Sequence, residues 1–265
     1  MPEPTWEYIL KTQQEDFLER LKASLEFNPD YESPVYLARL NHDPISDVSS
    51  PCESINISFH PNEESYIDNF CNELAWKFCD KPDEDEPCFN SYIFINNKLG
   101  KIGEVAVKKY LGNWISDVDY SFYDSGDGGV DFSLIPPNNF IKIQVKTTVA
   151  LRFTYQVLNT KKQEDINDCG IEFFYNPYKY IESSKWQVDA KALKNTHLTI
   201  FVLLMNEIIG DELNADPYKC ILAGFLPNEK ITPDRRYSIV ELLYSGGIRS
   251  YLKHLINIHH QQNTR

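Results

Sequence analysis

The stretch Phe140-Ile-Lys-Ile-Gln-Val-Lys-Thr147 alternates strictly, with Ile141, Ile143 and Val145 on one side and Lys142, Gln144 and Lys146 on the other. That is the period of a β-strand, so Gln144 and Lys146 share a face, about 6.5–7 Å apart along the chain. Upstream, Ser125-Gly-Asp-Gly-Gly-Val-Asp131 permits a tight turn and delivers Asp131 to the start of another strand. The turn-forming run Pro136-Pro-Asn-Asn139 joins the two strands and sets Asp131 beside Gln144. Residues of these types suit metal-assisted phosphodiester hydrolysis. A hard divalent cation takes oxygen ligands, here the Asp131 carboxylate, the Gln144 amide oxygen and the Val145 backbone carbonyl. Asp127, among the glycines, is the alternative carboxylate. Lys146 would stabilise charge developing on the phosphate or help orient the attacking water. A neutral Gln weakens the anionic cage, which raises the need for a second carboxylate. Glu104 in Asn97-Lys-Leu-Gly-Lys-Ile-Gly-Glu104 is the candidate, with Gly100 and Gly103 allowing its helix to approach the sheet.

Positioning these groups requires a helix, a turn and paired strands in that order, and the pattern supplies them. Residues 101–111 read as a helix closed by Gly112-Asn113. Residues 130–135 and 140–147 read as the two strands. Residues 198–205 are apolar on both faces, as in a central strand, and 218–225 read as another. Ile248, Tyr251, Leu252 and Leu255 give a C-terminal helix, and the sets Phe17, Leu18, Leu21, Leu25 and Tyr66, Ile67, Phe70, Leu74, Phe78 give two earlier ones. Residues 41–62 have loop composition, and the charged, Pro-flanked run 80–87 marks a boundary. The expected architecture is α/β, a mixed central sheet flanked by helices. An acidic helical N-terminal region, 1–90, precedes an α/β domain, 91–265, that ends in a helix.

The chain has 265 residues and a net charge of −13. In residues 1–90, 6 basic face 20 acidic side chains, or −14; the remainder holds 20 against 19, or +1. A pI near 4.9 argues against bulk electrostatic binding of nucleic acid. A local basic groove is still open to Lys101, Lys108, Lys109, Lys142, Arg152, Lys161 and Lys162. No apolar run approaches the roughly 20 residues a membrane span needs, and no secretory signal is visible. The six cysteines form no Cys-x-x-Cys pair, which points to reduced thiols and a cytoplasmic protein rather than a zinc site.

Glu104, then Asp131, then Gln144-Val-Lys146 resembles the PD-(D/E)xK restriction-endonuclease-like nucleases. Gly-Gly-Val-Asp131 followed by Gln-x-Lys is most similar to the Mrr-type members, which carry Gln at the third position. The Gly-x-x-Gly-Glu104 helix start is similar to that of Holliday-junction resolvases. The resemblance covers about residues 97–147, with a looser match in the following buried strand, and Val130 stands where the motif has its proline. It implies a restriction-endonuclease-like αβββαβ core and Mg²⁺- or Mn²⁺-dependent endonuclease action on DNA, with RNA as the open alternative. It also implies Glu104, Asp131 and Gln144 as metal ligands and Lys146 as the catalytic lysine. Restriction, phage defence or mobile-element processing is the expected setting. The acidic N-terminal region would then serve a protein partner, and a homodimer is compatible. The rival expectation is a catalytically inactive nuclease-fold module that binds nucleic acid or a protein.

Overall fold

A computed structural model of the chain describes residues 5–26, 54–77, 91–118, 129–150, 177–204 and 218–263. In chain order the elements are α1 (Trp6–Glu26), β1 (Ser54–Ile57), α2 (Pro61–Lys77), α3 (Ser91–Leu111), β2 (Ile115–Asp117), β3 (Phe132–Leu134) and β4 (Lys142–Val149). They continue with α4 (Pro177–Ser183), β5 (Lys185–Gln187), α5 (Ala190–Asn195), β6 (Leu198–Leu204), β7 (Tyr218–Pro227), β8 (Arg236–Ser238) and α6 (Ile248–Asn263). Among the described residues six strands form one sheet in the order β1-β7-β6-β4-β3-β2, and β5 pairs β8 in a separate ribbon.

The sheet is mixed. β2, β3 and β4 form an antiparallel meander, whereas β4 and β6 run parallel with Gln144 opposite Thr199 and Lys146 opposite Phe201. A parallel pair needs a long crossover, and α4, β5 and α5 lie in this one. β6 is buried along its whole length, as its unbroken apolar run requires.

The two faces of the sheet are covered differently. Gly103 in α3 sits on the Thr147 side chain, so α3 lies over the face of Ile143, Val145 and Thr147. On the opposite face Phe201 meets Trp186 of β5 and Tyr237 of β8, with ring centroids 5.9 and 6.5 Å apart. The Trp186 indole N–H donates to the Val202 carbonyl at 3.0 Å and ties the ribbon to the sheet.

Two expectations need correction. The helix expected over 101–111 begins at Ser91, because Phe94, Leu99, Ile102 and Ala106 continue one buried stripe. Residues on both sides of position 90 contribute to one hydrophobic cluster. Ser54–Ile57, expected as loop, pairs antiparallel with β7 and caps an edge that would otherwise present unpaired backbone groups. In α1 the buried Gln14 amide donates to the Ala223 and Ile239 carbonyls, both at 2.9 Å, and Leu10, Phe17 and Leu21 belong to the same hydrophobic cluster as β6 and β7. The run 80–87 lies outside the described residues. No helix among the described residues is long and apolar enough to cross a membrane.

Candidate active site

The site begins where β3 stops pairing with β4. The last rungs are Ser133 opposite Lys142 and Phe132 opposite Ile143, and the Asp131 N–H then donates to the Ile143 carbonyl at 3.0 Å. The next outward-facing amide on that edge of β4 belongs to Val145. Asp131 Oδ2 accepts it at 2.6 Å, so a carboxylate replaces a strand. In an extended chain one residue's N–H and C=O point to the same side, so the Val145 carbonyl projects toward the Asp131 edge. Gly129, at φ +83°, shapes the approach. A Cβ there would stand 2.5 Å from Ala192 Cβ in α5 and 3.2 Å from Gln144 Nε2.

Gln144 beside that close fit is buried, only 3% exposed. The strand alternation puts it on the face of Lys146, and there the Gly129 turn, itself packed on Ala192 of α5, lies against it. Its Oε1 is buried, with no hydrogen-bond partner among the described residues. The neighbouring Thr199 hydroxyl donates instead to Asn228 Oδ1 at 2.9 Å. Lys146 lies one pleat further along the same face, with Nζ 3.1 Å from Asp189 Oδ2 and side-chain exposures of 26% and 67% for the pair. Sequence reasoning did not single out Asp189. An Asp directly before a helix signals a cap, yet this one makes no side-chain cap bond.

Glu104 occupies different ground. Its carboxylate pairs with Lys101 Nζ at 2.7 Å, with exposures of 19% and 15%. It lines a cavity of about 770 Å³ with Phe59, Tyr66, Lys101, Asp117 and Phe132, and that lining includes none of Asp131, Gln144 or Lys146. The structure therefore gathers Asp131, Gln144, Val145 and Lys146 around one strand and sets Glu104 on the α3 side of the sheet. Asp127 lies outside the described residues.

In donor type the Asp131 set fits Mg²⁺ or Mn²⁺. It offers a carboxylate, a strand carbonyl and a buried amide oxygen that lacks any donor among the described residues. Among the described residues no three His, Cys, Asp or Glu side chains are grouped to hold a metal, so the set stands on one acid and neutral oxygens. Cys71 and Cys220 are free and buried, and burial pushes the Cys71 thiol up to about 11 and raises Cys220 as well. Neither is poised for thiolate chemistry.

The expected basic groove is only partly described. Lys101 is engaged with Glu104, Lys108 pairs with Asp117, and Lys109 reaches the Ser58 carbonyl at 3.5 Å. The Lys142 N–H donates to His197 Nδ1 at 3.2 Å. Burial, then the Lys142 charge and His259, hold the His197 imidazole below its ordinary value. Arg152, Lys161 and Lys162 lie outside the described residues. In comparisons with known proteins the chain matches no family model, no curated protein and no solved structure.

Proposed function

We propose that this chain is a Mg²⁺- or Mn²⁺-dependent nuclease that hydrolyses phosphodiester bonds in DNA, on a restriction-endonuclease-like core. The observation that carries the reading is the 2.6 Å bond from the Val145 N–H to Asp131, which joins the carboxylate to the strand bearing Gln144 and Lys146. The order α3-β2-β3-β4-β6, a meander followed by a parallel strand, supports it. Asp131, Gln144 Oε1 and the Val145 carbonyl would hold the cation. A cation held there would supply Lewis-acid polarisation of the phosphate and activation of a water at neutral pH. Lys146 supplies a positive charge on the same face as Gln144, where negative charge on the phosphate grows. The Gly129 turn packs beside the Gln144 amide and holds its orientation.

A second reading, a nuclease-fold module that binds without cutting, draws on the Lys146–Asp189 pair and the single acid of the donor set. One assay separates the two. Supercoiled plasmid, single-stranded DNA and single-stranded RNA are incubated with the protein in Mg²⁺, Mn²⁺ or chelator. The nuclease reading expects metal-dependent cleavage that falls roughly 10²–10³-fold in Lys146→Ala and is lost in Asp131→Ala. Binding without cleavage in both metals would replace it with the module.

A further inference from the structure

We propose that Asp189 is the positioning residue of Lys146, an inference that rests on the nuclease reading above. A lysine ammonium rides on a flexible four-carbon stem, so a catalytic lysine needs a second group to fix where Nζ stands. Among the described residues the carboxylate that pairs with Lys146 is Asp189, with Oδ2 3.1 Å from Nζ. Its backbone is fixed on both sides. Val188 is fully buried and its carbonyl accepts the Asp234 N–H at 3.0 Å, while the Asp189 carbonyl accepts the Leu193 N–H at 3.3 Å. The side chain is not consumed in capping α5, which leaves it for the lysine. Asp189 directly precedes the short helix that carries Ala192 against Gly129, and Gly129 in turn stands beside the Gln144 amide. The two groups of the Gln-x-Lys pair are thus set by neighbouring parts of one packed corner. Because the carboxylate is two-thirds exposed, it can hold Nζ without closing the face to a phosphate backbone.

The test compares wild type, Asp189→Ala, Asp189→Asn, Asp189→Glu, Lys146→Ala and the Lys146→Ala/Asp189→Ala double variant on an oligonucleotide substrate in Mg²⁺. Asp189→Ala and Asp189→Asn should lower kcat roughly 10–100-fold, the scale of a misplaced group, with KM unchanged. Asp189→Glu should restore most of the loss, and Asp189→Ala should add nothing in the Lys146→Ala background. The Mg²⁺ concentration for half-maximal rate should stay at the wild-type value. A double-mutant cycle on thermal stability needs no activity and should show coupling between the two side chains. Zero coupling, a wild-type or raised kcat in Asp189→Ala, or a shifted Mg²⁺ requirement would each overturn the assignment. A wild-type protein that cleaves nothing while the stability coupling is present would overturn the nuclease reading, and the positioning role of Asp189 in it. That outcome is distinct from an active enzyme indifferent to Asp189.

Discussion

Replacing Gly129 by alanine tests whether the turn before Asp131 is seated as described. At φ +83° a residue with a Cβ sits in the left-handed region, at a cost of about 1–2 kcal/mol. The new methyl would stand 2.5 Å from Ala192 Cβ and 2.8 Å from Ala192 Cα. The second is a backbone atom of α5, so no rotamer relieves it, and overpacking of this kind costs about 1–3 kcal/mol. Reduced freedom of the unfolded chain returns about 0.4–1 kcal/mol. The net loss is about 1–4.6 kcal/mol, which for a chain of this size lowers Tm by roughly 2–18 °C. Ala192→Gly removes the clash with the Ala192 methyl but leaves both the clash with the α5 backbone and the φ strain, so the double variant should recover part of the loss. Thermal melts by circular dichroism, with urea titrations as a check, measure all four proteins. Since the methyl also comes within 3.2 Å of Gln144 Nε2, any cleavage activity should fall with the melting temperature. A Gly129→Ala protein that melts with the wild type would refute the placement of this turn against α5.

Two glycines three residues apart in α3 should respond with opposite signs. Gly103→Ala puts a Cβ 1.8 Å from Thr147 Oγ1 and 3.0 Å from Thr147 Cβ and should lower Tm, whereas Gly100 has nothing within 4 Å and alanine there should add up to about 1 kcal/mol; equal shifts would show that α3 does not rest on β4 at Gly103. Gln144→Leu removes a buried oxygen with no partner among the described residues, so stability should rise by about 1 kcal/mol as metal-dependent cleavage disappears, and a clear loss of stability would mean the oxygen is satisfied in the fold. Asp131→Ala strands the Val145 amide and should cost about 0.5–1.5 kcal/mol, while Asp131→Asn keeps an acceptor, stays close to wild type in Tm and still fails to cleave; identical melts for the two would refute the 2.6 Å bond. The His197 pKa is lowered in the fold, so the unfolded chain binds more protons below its value of about 6.5. Stability from this group is present above that pH and is lost as pH falls through the folded pKa; His197→Asn should flatten the decline between about pH 7 and pH 5, and an unchanged slope would refute the burial argument.

The legible parts of the sequence are those with local causes. The alternation at β4 and the unbroken apolar run of β6 each fix an element by its own period, and both strands stand within two residues of expectation. β1 was illegible because Ser-Ile-Asn-Ile is too short and polar to declare a strand. Its partner β7 lies more than 160 residues away, and the unpaired edge that it covers exists only after the sheet has formed. Asp189 was hidden for a related reason. The six-residue helix behind it buries only Ala192, so nothing in the chain announces that Asp189 meets Lys146.

The position of Glu104 follows from the same limit. A period of two states that Gln144 and Lys146 share a face and that Val145 and Thr147 share the other. It does not state which face a helix will choose. Gly100 and Gly103 do signal a close approach of α3, and Gly103 makes one, against Thr147 on the Val145 side. Glu104 consequently meets Lys101 and the cavity beside β2, while the Gly129 turn and Asp189 stand on the face with Gln144 and Lys146. An acid supplied by the helix before a meander and an acid supplied by the turn before its middle strand therefore reach opposite sides of one sheet. On the side that holds the lysine, the carboxylates that the structure shows bonded to β4 are Asp131, through the Val145 amide, and Asp189, through the ammonium itself.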